Sequence, residues 1–146
     1  MHVAAVLKRK GSHVVSIKPD QTIAEAVNLL SQNGIGAAMV LDSTGGICGI
    51  ISERDIVRGL AEQGADALTQ RVDALMARDV HSCSPKNTVT EVMTVMTHRR
   101  HRHLPVLDDG KLVGIISIGD VVKQRLIDTD LEIETLRGYA SLSAEV

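Results

Sequence analysis

The chain has 146 residues, 44% of them apolar, and a formal net charge of −2. That apolar content suffices for a core and excludes a disordered or fibrous chain, and the near-neutral charge gives no global pull toward nucleic acid or anionic membrane. With no Phe, no Trp and a single tyrosine, Tyr139, the core must come from Val, Ile, Leu, Ala and Met, which counts against a binder that stacks bases on aromatic rings.

The first residues include some basic side chains but no long apolar run, so no signal peptide is read. No apolar run approaches the ~20 residues of a membrane span, and a soluble cytoplasmic protein is expected. Residues 14–17 then predict a short strand ended by Pro19. Thr22, with Glu25 three residues on, carries a capping-box signature. Ile23, Ala26, Val27 and Leu30 follow at i, i+3, i+4, i+7, one face of a helix. Residues 37–41 and 47–51 form β-rich runs around Ser43-Thr44-Gly45-Gly46 and predict a hairpin. A second helix starts near Ser52-Glu53.

The second half repeats this plan. Ser16-Ile17-Lys18-Pro19 aligns with Ser82-Cys83-Ser84-Pro85, and Val40-Leu41-Asp42 with Val106-Leu107-Asp108, both at a separation of 66 residues. Gly49-Ile50-Ile51-Ser52 aligns with Gly114-Ile115-Ile116-Ser117 at 65, one residue having been lost in a turn. Residues 80–83 predict a strand. Thr88 and Glu91 repeat the capping box, and Val89, Val92, Met93 and Met96 repeat the helical face, which assigns the two methionines to packing. Residues 103–107 and 112–117 form a second hairpin around Asp108-Asp109-Gly110. Each unit reads β-α-β-β-α, in an α/β (α+β) fold. One copy of ~60 residues would have a marginal core, so two copies packed about a pseudo-two-fold, with a cleft at its axis, are expected. The boundaries are residues 8–66 for the first repeat and 76–133 for the second, with a C-terminal helical tail over 134–146 and a link over 66–79.

In both copies a buried strand ends in Ser, and an Asp follows three residues later: Ser52 and Asp55, Ser117 and Asp120. A Ser that caps a helix lies among free N–H groups, a favourable place for phosphate. A carboxylate in the first turn can accept both hydroxyls of a ribose. Ser-x-x-Asp is also an ordinary capping motif; two copies, each after Gly-Ile-Ile, favour the ligand reading.

The paired Gly-Ile-Ile-Ser-x-x-Asp segments, the Pro-x-x-Thr helix starts and Arg102-His103-Leu104-Pro105-Val106 resemble the CBS-domain family in its tandem form, the Bateman module. The resemblance covers residues 8–133. It implies a stand-alone regulatory module with two adenosine-nucleotide sites, no catalytic residues, no required cofactor and no metal. By position, one site would join Ile50, Ser52 and Asp55 to Thr88, Arg102 and His103. The other would join Ile115, Ser117 and Asp120 to Thr22, Gly36, Ala37 and Ala38. The first, with a cation and an imidazole, is expected to prefer the more charged nucleotide. The ligands implied are AMP, ADP, ATP or NAD(H), with S-adenosylmethionine as a further member. The partners implied are a homodimer mate and an effector protein of unknown identity.

Other signals carry less. The run His98-Arg99-Arg100-His101-Arg102-His103 invites a metal or nucleic-acid reading. Interleaved arginines oppose a divalent ion, and no aromatic or second basic cluster supports a nucleic-acid surface; a phosphate-contacting edge is the preferred reading. Cys48 and Cys83 lack metal-ligand spacing and read as buried free thiols. No Gly-x-Gly-x-x-Gly or Walker loop is present, and no nucleophile sits beside a plausible base. The alternatives are a ligand-free structural protein and a nucleic-acid binder through Arg99, Arg100 and Arg102; an NAD(H)-linked redox enzyme lacks any catalytic residue set. Along the C-terminal helix, Val122, Leu126, Thr129, Ile133, Leu136 and Ala140 are spaced 4, 3, 4, 3, 4. This heptad-like seam predicts a dimer contact that Leu7 could join.

Overall fold

The structure is a computed structural model and describes residues 1–144. Its elements are α1 (Val3–Lys10), β1 (Ser16–Ile17), α2 (Ile23–Asn33), β2 (Ala37–Leu41), β3 (Ile47–Ser52) and α3 (Glu53–Gln63). A 3₁₀ turn (Gly64–Thr69) and α4 (Val72–Leu75) follow, then α5 (Val89–Arg99), β4 (His103–Asp108), β5 (Lys111–Ser117) and α6 (Ile118–Ala144). They form two compact units. One is His13–His81; the other joins Met1–Ser12 to the chain from Ser82 onward.

In the N-terminal unit β1 pairs parallel with β2, which pairs antiparallel with β3. The Thr22 hydroxyl accepts the Glu25 N–H at 3.2 Å and starts α2. Gly34, left-handed at φ 60°, ends it. Ile23, Ala26 and Leu30 are buried as the periodicity predicts, whereas Val27 is exposed. In the C-terminal unit Thr88 and Glu91 complete a capping box on α5. Val89, Val92 and Met96 are buried there, and Met93 packs against them. Both hairpins shift register at equivalent points, between Val40 and Leu41 and between Val106 and Leu107. The shorter second turn has Asp109 and Gly110 at φ 49° and 78°; positive φ at both turn residues is the geometry of a tight two-residue hairpin.

The strand expected over 80–83 is absent. Cys83 makes one parallel bridge to Val106, its N–H donating to Pro105 O at 3.0 Å and its carbonyl accepting the Leu107 N–H at 2.8 Å. Cys83 is buried and Cys48 half-buried, both as free thiols, and burial pushes the Cys83 thiol up to about 11.

Residues 66–79 do more than link. They fold onto the N-terminal unit, and the chain's first residues do the same on the C-terminal unit. Ile23 N–H donates to Gln70 O at 2.9 Å, and Val89 N–H to Met1 O at 2.9 Å. Val72 N–H donates to Gln21 O at 2.7 Å, and Val3 N–H to Asn87 O at 2.9 Å. Asp73 N–H reaches Pro19 O, and Ala4 N–H reaches Pro85 O, both at 3.0 Å. Residues 1–4 therefore match residues 70–73. The match extends to packing: a Cβ on Gly49 would lie 2.9 Å from Met76 Sδ, and one on Gly114 2.6 Å from Leu7 Cδ2. Both strand positions favour glycine because these leader segments press against the sheet. Leu7 is accordingly buried in the C-terminal core rather than on an exposed surface.

Candidate functional site

In the N-terminal unit, Ser52 ends β3 and caps α3. The Asp55 Oδ2 accepts the Ser52 N–H at 2.9 Å and the Ser52 hydroxyl at 2.8 Å, and Ser52 Oγ lies 3.3 Å from the Asp55 N. Arg58 Nη1 stands 3.7 Å from Asp55 Oδ1. The start of β2 borders this corner: Ala37 is the register partner of Ser52 and Ala38 of Ile51. The Glu53 N–H donates to Gly36 O at 2.9 Å. Ile50 is buried in the adjoining strand. Ile50, Ser52, Asp55, Gly36, Ala37 and Ala38 thus share one end of one sheet.

The C-terminal unit repeats the corner with different side chains. His103 is the register partner of Ser117, and the Ile118 N–H donates to Arg102 O at 2.8 Å. The Asp120 Oδ2 accepts the Ser117 N–H at 2.8 Å, and the Asp120 N–H reaches Ser117 Oγ at 3.1 Å. Ile115, half-buried, lies in the same strand. Ile115, Ser117 and Asp120 therefore share their corner with Arg102 and His103, the residues the sequence reading assigned to Asp55.

One residue was missed by sequence reasoning. The Lys10 ammonium, at the end of α1, donates to Asp120 Oδ2 at 2.6 Å and to Ile115 O at 2.7 Å. Burial works against the Asp120 carboxylate, but Lys10 and Ser117 together hold its pKa below the usual aspartate value. No sequence signal marks this segment, because the match between residues 1–4 and 70–73 is made by backbone hydrogen bonds.

Thr22 and Thr88 are not brought to these corners within their own units. Each caps the far end of an 11-residue helix, α2 or α5, whose other end leads to Gly36 or Arg102. At 1.5 Å per residue each of these helices is roughly 16 Å long. Their hydroxyls serve the helix starts.

The CBS domain family model matches residues 4–62 and 72–126. The chain belongs to the CBS-domain family. A solved CBS-domain containing protein from Agrobacterium tumefaciens is 46% identical, with the likeness covering 85% of this chain and 92% of that one at a TM-score of 0.83. The mitochondrial CBS domain-containing protein CBSX3 of Arabidopsis thaliana is 30% identical over 145 residues, 94% of this chain and 70% of that protein. The CBS domain pair of protein MJ0100, solved with 5′-methylthioadenosine and S-adenosyl-L-methionine, shares the fold at a TM-score of 0.76 and 24% identity, covering 89% of this chain and 98% of that one. CBS-domain pairs are regulatory rather than catalytic modules that bind adenosine-containing ligands and often oligomerise. Among the described residues of this CBS pair, no helix is long and apolar enough to cross a membrane.

Proposed function

We propose that this chain is a cytoplasmic sensor of adenosine nucleotides, AMP, ADP, ATP or NAD(H), that signals ligand occupancy to an effector protein. The observation that carries this reading is the duplicated corner: a Ser-capped helix start with a carboxylate in its first turn, beside the first residues of a neighbouring strand. Helix N–H groups favour phosphate, and the carboxylates of Asp55 and Asp120 suit ribose hydroxyls. The ligand-contacting sets are Ile50, Ser52, Asp55, Gly36, Ala37 and Ala38 in one unit, and Ile115, Ser117, Asp120, Arg102 and His103 in the other. The preference for the more charged nucleotide goes with Arg102 and His103, which border the Asp120 corner within their own unit. The adenosyl compounds bound by the MJ0100 pair support the ligand class. A ligand shifts the module only by its difference in affinity between conformations, so the response is confined to compounds that engage these corners.

Thermal unfolding with AMP, ADP, ATP, NAD, NADH and S-adenosylmethionine, each at ~1 mM, tests the reading. A ligand with a Kd of ~10 μM adds ~2.7 kcal/mol. Asp55→Ala weakens nucleotide binding at its corner by at least ~10-fold, a charge-assisted hydrogen bond contributing ~1.5–3 kcal/mol. A variant with lower stability and unchanged affinity would reduce Asp55 to a helix cap.

The same proposal includes a homodimer through α6. Val122, Leu126, Ile133 and Leu136 are 46%, 61%, 41% and 67% exposed, so this apolar stripe does not lie back on its own unit. A second copy offers a seam of matching spacing. Leu126→Glu combined with Leu136→Glu is expected to halve the mass in sedimentation equilibrium; an unchanged mass would remove the stripe from the interface.

A further inference from the structure

The two corners differ in what meets the strand carbonyl two residues before the capping Ser. In the N-terminal unit Ile50 O accepts the Ala77 N–H at 2.9 Å, a backbone bond made by the leader segment. In the C-terminal unit the leader is α1, and the equivalent Ile115 O accepts the Lys10 ammonium at 2.7 Å. A neutral backbone bridge in one corner is thus replaced by a cation in the other. That cation also lies 2.6 Å from Asp120 Oδ2, the oxygen expected to receive a ribose hydroxyl. The pair is accessible, with side-chain exposures of 30% for Lys10 and 22% for Asp120. Arg102 and His103 border the same corner.

We propose that Lys10 is the charge selector of the Asp120 corner: it closes the carboxylate to unphosphorylated adenosyl compounds and yields it to phosphorylated ones. This rests on the adenosyl reading above and deepens it. A neutral nucleoside that claims the Asp120 carboxylate must displace an ammonium and has no acceptor of comparable charge to give it in return. A 5′-phosphate supplies one. The ammonium exchanges a carboxylate for a phosphate, both charge-assisted partners, and the carboxylate is released to the ribose. A cationic ligand such as S-adenosylmethionine is disfavoured on the same ground, because its charge repels Lys10.

Calorimetric titration of the full chain with AMP and with adenosine tests this. It is done in an Asp55→Asn background, to isolate the Asp120 corner, with and without Lys10→Met. With Lys10 in place, AMP is expected to bind at least ~10-fold more tightly than adenosine. Lys10→Met is expected to weaken AMP and strengthen adenosine, collapsing that ratio, whereas Lys10→Arg preserves it. If Lys10 merely docks α1, Lys10→Met loosens the fold and moves both affinities together, leaving the ratio unchanged; that result overturns the proposal. If the unsubstituted chain binds neither these two nor ADP, ATP, NAD, NADH or S-adenosylmethionine, the adenosyl reading itself fails; if it binds one of those but neither AMP nor adenosine, the selector proposal fails and the adenosyl reading stands.

Discussion

The two units solve the same packing problem with different rigidity. Each needs a leader segment pressed against the glycine that opens its Gly-Ile-Ile strand run. In the N-terminal unit the leader is α4 with Met76 and Ala77, and it meets the strand backbone to backbone, through two hydrogen bonds between Ile50 and Ala77. In the C-terminal unit the leader is α1, which meets the strand through side chains: Leu7 on Gly114 and Lys10 on Ile115. A backbone ladder fixes position and carries no net charge. A lysine reaching the same carbonyl keeps the hydrogen bond, adds a charge and leaves the contact able to exchange. The repeats therefore agree where the fold demands agreement and diverge at the corner proposed to meet a ligand.

The sharpest way to break this comparison is to fill both glycines. A Cβ on Gly49 would stand 2.5 Å from the Ala77 carbonyl oxygen, and backbone cannot move aside without losing the bridge. A Cβ on Gly114 would stand 2.6 Å from Leu7 Cδ2, the end of a flexible side chain. Gly49→Ala is expected to cost about 3 kcal/mol and Gly114→Ala about 1 kcal/mol, the two ends of the usual range for overpacking. Urea unfolding reads both from midpoints at constant slope. Equal losses would mean that α1 is held as rigidly as residues 76–77, and the contrast between the leaders would be lost.

Much of this was legible in the residues. The repeats, the Thr22 and Thr88 caps, both hairpins and the Ser-x-x-Asp helix starts follow from chemistry written in side chains. The leaders do not. Residues 1–4 and 70–73 share only Val3 with Val72, because the contacts that match are made by backbone N–H and C=O groups, which any residue carries. Thr22 and Thr88, grouped by position with ligand residues of the other repeat, cap α2 and α5 in their own units. Arg102 and His103, grouped by the sequence with Asp55 of the other repeat, stand beside Ser117 within their own unit. Lys10 carried no signal because its target is a carbonyl more than a hundred residues away.

A smaller effect sharpens the comparison at the helix ends. Both α2 and α5 stop at a left-handed residue, Gly34 at φ 60°, ψ 38° and Arg100 at φ 57°, ψ 31°. Glycine adopts this conformation without penalty, and nothing lies within 4 Å of a Cβ built on Gly34, so the backbone alone decides the cost of a side chain there. For an L-residue that cost is roughly 1 kcal/mol. Gly34→Ala is therefore expected to destabilise by about 1 kcal/mol, and Arg100→Gly to stabilise by a similar amount, read in the same urea titrations. A gain at Arg100 would mark that arginine as held at a strained position at the end of the basic run that leads to Arg102 and His103, where a cation serves anion binding better than it serves the fold. No gain would mean that its side chain recovers the strain through contacts of its own, and the two helix stops would then be equivalent after all.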